Sequence, residues 1–179
     1  LTIDTLSSAI QLSGSRYNLE NFQVKTLAGI ATFSGSGDLQ STHQINYKLD
    51  LGDLHHIGEI LDVDSLTANG TISGVINGKP DSLINDMDFN LRQLKYNEFW
   101  IDSLAGFTVT TIVDSGVTMM IDMLSQNIST GPVNIDSLKI ISNYENEQFT
   151  SEIDIRFDSG LSTSLSAILR PDSILFLSI

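Results

Sequence analysis

The chain has 179 residues, 9 basic against 22 acidic side chains for a net charge of −13, and no cysteine. That balance argues against nucleic acid as a partner, because phosphate contacts need clustered Lys and Arg. The missing cysteines exclude a disulfide scaffold, a thiolate metal site and a cysteine nucleophile.

In chain order, the dominant period is two. Ala31, Phe33, Gly35, Gly37 and Leu39 alternate with polar residues and give a first strand. His43 to Leu51 (HQINYKLDL) is the cleanest, with Ile45, Tyr47, Leu49 and Leu51 on one face and Gln44, Asn46, Lys48 and Asp50 on the other. Asp53 to Leu61 (DLHHIGEIL) breaks the period: Leu54, Ile57, Ile60 and Leu61 fall at helical spacing behind Asp53 as N-cap, so one short helix is expected there.

Strands resume at Ala68, Gly70, Ile72, Gly74 and Ile76, at Met87, Phe89 and Leu91, at Phe107 and Val109, and at Val117, Met119, Ile121 and Met123. Gln148 to Asp158, with Phe149, Ile153, Ile155 and Phe157 on one face, turns through Asp158, Ser159 and Gly160 into Leu161, Thr163, Leu165, Ala167 and Leu169 as an antiparallel hairpin. The fold class is therefore all-β, and a long curved, mostly antiparallel sheet forming an open apolar groove is one architecture that this patterning allows. A sandwich, a barrel and a solenoid have the same strand patterning.

One tetrapeptide recurs. IDSL stands at Ile101 to Leu104 and at Ile135 to Leu138, with looser copies at Ile3 (IDTL), Val63 (VDSL), Pro80 (PDSL) and Pro171 (PDSI). Chance allows about one such match. Its two apolar residues are three apart and would face opposite ways on an unbroken strand, so the motif resets the phase. Asp and Ser bond to nearby backbone and suit a corner or bulge, and the Leu is expected to open the next strand. A sheet that resets in this way can bend while one face stays apolar.

Catalytic chemistry is missing. There is no nucleophile elbow, no phosphate-binding glycine loop and no H-E-x-x-H. His43, His55 and His56 lack further ligands at metal spacing, and adjacent histidines on a helix diverge, so neither metal nor other cofactor is expected. The pairs Asp86 with Asp88 and Glu152 with Asp154 fall on polar strand faces, where no desolvated pocket would raise a pKa for acid–base work. No enzyme is expected.

From Tyr47 to Leu104 the texture is that of a known family. A strand ending in LDL, a short DL…I helix, the run G-x-I-x-G-x-I-x-G, the link PDSL, the strand FNLRQLKY and a closing IDSL together resemble the AsmA-like and TamB family of bacterial envelope proteins. The resemblance implies a β-groove anchored in the inner membrane of a Gram-negative bacterium and crossing the periplasm. Such proteins are associated with moving phospholipid between the two membranes, and the TamB branch also with assembling outer-membrane proteins beside a barrel partner.

No apolar run reaches 18 residues, so an inner-membrane anchor is expected outside this segment. The chain opens at Leu1 without Met and reads as one segment of a larger repetitive protein. On this reading the partners are lipid acyl chains and an outer-membrane barrel protein. The groove is lined by Phe33, Ile45, Tyr47, Leu49, Ile72, Ile76, Met87, Phe89, Leu91, Met119, Ile121, Phe149, Ile153, Ile155, Phe157, Leu161, Leu165 and Leu169. Two rivals are a scaffold that binds client β-strands and a closed sandwich or solenoid with an adhesive role.

Overall fold

A computed structural model describes residues 3–60, 63, 65–79, 81–170 and 176–178. The strands are β1 (Ile3–Ser13), β2 (Arg16–Thr26), β3 (Gly29–Asp38) and β4 (His43–Leu51); then, after helix α1 (His55–Ile60), β5 (Leu66–Lys79), β6 (Ser82–Tyr96), β7 (Phe99–Val113) and β8 (Gly116–Thr130). They continue through β9 (Val133–Glu145), β10 (Gln148–Phe157), β11 (Ser162–Leu169) and β12 (Phe176–Ser178). All twelve pair antiparallel in sequence order, as one open meander. Short turns make most of these connections and return each strand beside the one before it, while the segment that carries α1 joins β4 to β5. The sandwich and the barrel are set aside: among the described residues there is one sheet, open rather than closed.

A single layer leaves much surface in water. The accessible area is 11505 Å², whereas a compact monomer of this mass would expose about 8,600 Å². Only Ala28, Leu54, Ala68 and Ile128 are buried apolar residues among those described. Three of them, Ala28, Leu54 and Ala68, form one cluster with Leu51, Ile57, Leu66 and Leu94 around it. This is where α1 meets the sheet. The Asp53 carboxylate accepts from the His55 N–H at 2.9 Å and starts the turn, as its N-cap position predicts. Ile60, expected on the packed face, is instead 69% exposed, because the helix ends there. Leu61 lies outside the described residues.

The repeated tetrapeptide resets phase, but not as a strand start. Ile101–Leu104 lies inside β7 and Ile135–Leu138 inside β9. Both strands run straight on, so the expectation that Leu104 and Leu138 open new strands is corrected. Neighbouring strands reset on the same line. Leu91 and Leu94 of β6 are half-buried with Arg92 and Gln93 exposed between them, and Ser125 and Ile128 of β8 are buried with Gln126 and Asn127 exposed. Pairing keeps one register through the line, as Arg92 with Ser103 and Leu94 with Ile101 show. Because β6 to β9 all change phase together, the apolar face stays continuous across a crease.

Gln93 (φ 52°) and Asn127 (φ 51°) supply the left-handed backbone there. Polar bonds run along the outside of the crease. The Asn127 amide donates to Asp102 at 3.3 Å, the Ser103 hydroxyl to Gln126 at 3.1 Å, and Arg156 pairs with Asp136 at 2.8 Å. At its borders the crease becomes true bulges, with register shifts between β5 and β6 and between β9 and β10. Of the other copies, VDSL behaves as expected, Leu66 opening β5. Leu83 is the second residue of β6, and Pro171–Ile174 lies outside the described residues.

Candidate functional site

Following partners from strand to strand gives the composition of each face. One row on the inner face reads Leu6, Val24, Ala31, Leu49, Ile72, Phe89, Gly106, Met123, Ile140, Ile153 and Leu165, each paired with the next. No polar side chain interrupts it from β1 to β11. With strands about 4.8 Å apart, it runs for about 48 Å.

The flanking rows are mostly apolar, interrupted by neutral polar residues such as the paired Asn85 and Thr110 and the paired Ser142 and Ser151. One contains Phe33, Tyr47, Met87 and Ile121, another Ile45, Ile76, Met119, Phe149 and Leu169, and a third Leu91 and Ile155. Phe157 pairs with Ile135 beyond the crease. No Asp, Glu, Lys or Arg stands on the inner face of these paired rows. Two pairs of these polar groups bond to each other: the Ser142 and Ser151 hydroxyls lie 2.8 Å apart, and the Tyr47 hydroxyl donates to Asn85 at 2.9 Å.

Seventeen of the expected lining residues therefore share this face and Leu161 does not join them. It sits in the β10–β11 connection, 70% exposed, where its carbonyl accepts from the Phe157 N–H. Sequence reading missed Leu6 and Val24, because β2 carries a bulge at Glu20 and Asn21 (φ 48°) that shifts Phe22 and Val24 out of phase with Tyr17 and Leu19. Met123 and Ile140 were legible from their alternation. Phe107 and Val109 share a face, but it is the outer one: they pair with Asp88 and Asp86 on one side and with Asp122 and Met120 on the other.

Glycines shape the lining. A Cβ at Gly74 would lie 2.5 Å from the Tyr47 hydroxyl, and one at Gly106 would lie 2.8 Å from Phe89 Cζ. Each aromatic side chain lies over the glycine of the neighbouring strand, covering backbone that would otherwise be bare. The groove floor is thus smooth, and its aromatic rings lie along it.

At the rim formed by the β1–β2 and β3–β4 hairpins the face turns polar. The rings of Tyr17 and His43 stack with centroids 5.7 Å apart, and Tyr17 Oη lies 3.0 Å from His43 Nδ1. Beside them the Gln40 backbone N–H donates to Asp38 at 3.0 Å, and this bond, aided by Ser15 and by the charges of Arg16 and His43 and opposed by slight desolvation, holds the Asp38 carboxyl below its ordinary pKa. No group of three or more His, Cys, Asp and Glu residues placed to hold a metal ion occurs among the described residues. No helix among them is long and apolar enough to cross a membrane.

Fold and face together define a single-layer antiparallel β-groove with an apolar, uncharged interior. Comparison with protein-family models, with characterised proteins and with solved structures gives no match.

Proposed function

We propose that this chain is a segment of a periplasmic groove that carries phospholipid between the inner and outer membranes, its acyl chains lying in the trough. One observation carries the reading: the unbroken apolar row from Leu6 to Leu165, with no charge beside it on that face and no second layer over it among the described residues. An acyl chain in water is penalised by about 0.8 kcal/mol per CH₂, so a chain of about sixteen carbons faces on the order of 12 kcal/mol. A groove of this kind removes most of that barrier at every point along its length. No catalysis is involved; the lining residues solvate the tail.

The test is a photocrosslinker at inward Phe89 and at its outward neighbour Asp88. Lipid adducts are expected at Phe89 alone, and equal labelling at Asp88 would sink the proposal. Native mass spectrometry of the purified chain is expected to show bound phospholipid.

The exposed strand β1 favours a second reading. All eleven of its residues are exposed, it contains neither Lys nor Pro, and among the described residues it pairs on one side only, with β2. A strand of that kind accepts another by β-augmentation, as a scaffold for outer-membrane clients would require. A client-derived β-peptide that shifts the β1 amide resonances while leaving bound lipid in place would support it.

A further inference from the structure

The outer face of this sheet is polar on β4 and, apart from Ile84, on β6, as a solvated back should be, but β7 and β8 break the rule. Phe107 (37% exposed), Met120 (38%) and Leu124 (42%) stand outward there with Val109 between them. No second layer covers them among the described residues. They belong to a regular pattern: across five strands one outer row reads Asp88, Phe107, Asp122, Ile141 and Glu152, alternating carboxylate and apolar side chain. None of the three carboxylates has an ion-pair partner among the described residues. Successive carboxylates are two strand spacings apart, about 9.6 Å.

We infer that this row docks a basic amphipathic helix of a partner protein, lying across β6 to β10. A helix advances about 10.5 Å in seven residues, so Lys or Arg at i, i+7 and i+14 comes opposite Asp88, Asp122 and Glu152. Apolar residues at i+3 or i+4 and at i+10 or i+11 fall on the same helix face and meet Phe107 and Ile141. The small mismatch in pitch is taken up by the length of the Lys stems. Charge decides against the other occupants. A second copy would bring the same three carboxylates against its own in a chain of net charge −13, and an anionic membrane surface is repelled likewise. The inference concerns the outer face and stands or falls independently of what the groove carries.

The probe is a synthetic helical peptide of about 18 residues with Lys and Leu in that heptad pattern and Gln and Ala elsewhere, bound to the full chain in about 0.15 M salt. A benzoylphenylalanine at Val109 is expected to crosslink it and one at Asn46, on the outer face of β4, is not. The triple variant Asp88→Asn, Asp122→Asn, Glu152→Gln is expected to weaken binding at least about tenfold, and a control that removes as much charge elsewhere, Asp4→Asn, Glu20→Gln, Asp81→Asn, to change it less than about twofold. A peptide with the same composition but Lys every fifth residue is expected to bind as weakly as the triple variant does. Equal loss in the control, equal binding of the respaced peptide, or Val109 crosslinks between copies of the chain itself would each overturn the inference. Charge-only changes on an exposed face leave the packing intact, and circular dichroism checks that the variants fold.

Discussion

At the scale of single residues, the lining is held by fits between a side chain on one strand and a glycine on the next. Tyr47 occupies the space above Gly74, and its hydroxyl bonds to Asn85 one strand further on. Gly74→Ala therefore pushes against both the ring and the Asp86 carbonyl, and thermal or urea unfolding is expected to show a loss of about 1–3 kcal/mol. Tyr47→Phe keeps the ring and removes one hydrogen bond, and is expected to lose only about 1 kcal/mol. At the rim, Asp38 has its folded pKa below the ordinary value of 3.8, chiefly through the Gln40 N–H. The sign follows from linkage. The contribution is fully present above 3.8 and is lost as pH falls through the depressed folded value. Unfolding measured from pH 7 down to pH 2 is expected to show a smaller acid-side decline in Asp38→Asn than in the parent chain.

At the scale of elements, the crease decides which side chains face the groove. Deleting Ser103 would restore plain alternation to β7 while β6 and β8 keep their extra residue, so pairing on one side of the crease would have to slip by one residue or form a bulge. The backbone at Asn127 is left-handed, which Asn tolerates and a β-branched residue does not. Asn127→Gly is expected to be neutral or slightly stabilising in denaturant unfolding, and Asn127→Val to lose about 1–2 kcal/mol. The helix has a separate role. Leu54 is 8% exposed against Ala28 and Ala68, so Leu54→Ala empties the centre of the one buried cluster described. A loss of about 2 kcal/mol is expected, with faster amide exchange in α1 and the start of β5 than in β8. The tetrapeptide was legible as a phase reset from its spacing alone. That four strands reset on one line was not, because Gln93 and Asn127 achieve by a left-handed residue what Asp102 and Asp136 mark by a repeated motif.

At the scale of the whole molecule, the groove is a collective property of about eleven strands, and no single residue makes it. On the proposed transport reading, a charge placed in its continuous row would interrupt the low-polarity path for every acyl chain. Ile72→Lys is expected to remove most co-purifying phospholipid, whereas Ser73→Lys on the outer face leaves it unchanged, measured by mass spectrometry of the extracted lipid. If both variants keep their lipid, the transport reading fails while the fold stands.

Much of this was determined by the sequence alone. Alternation with period two marked β3 to β8, β10 and β11 and put seventeen of the expected residues on one face, because side-chain direction in a strand is fixed by residue parity. The broken period at Asp53 likewise marked the one helix among the described residues. Other features were decided only by the tertiary structure. Parity says which residues share a face but not which face is inward once the phase has slipped, so β2 was missed and Phe107 with Val109 turned out on the back. Strand pairing is a long-range property, and it alone shows that the apolar face continues from strand to strand, with no covering layer among the described residues. It also lines up Asp88, Phe107, Asp122, Ile141 and Glu152, which are scattered over 65 positions of the chain, into one row.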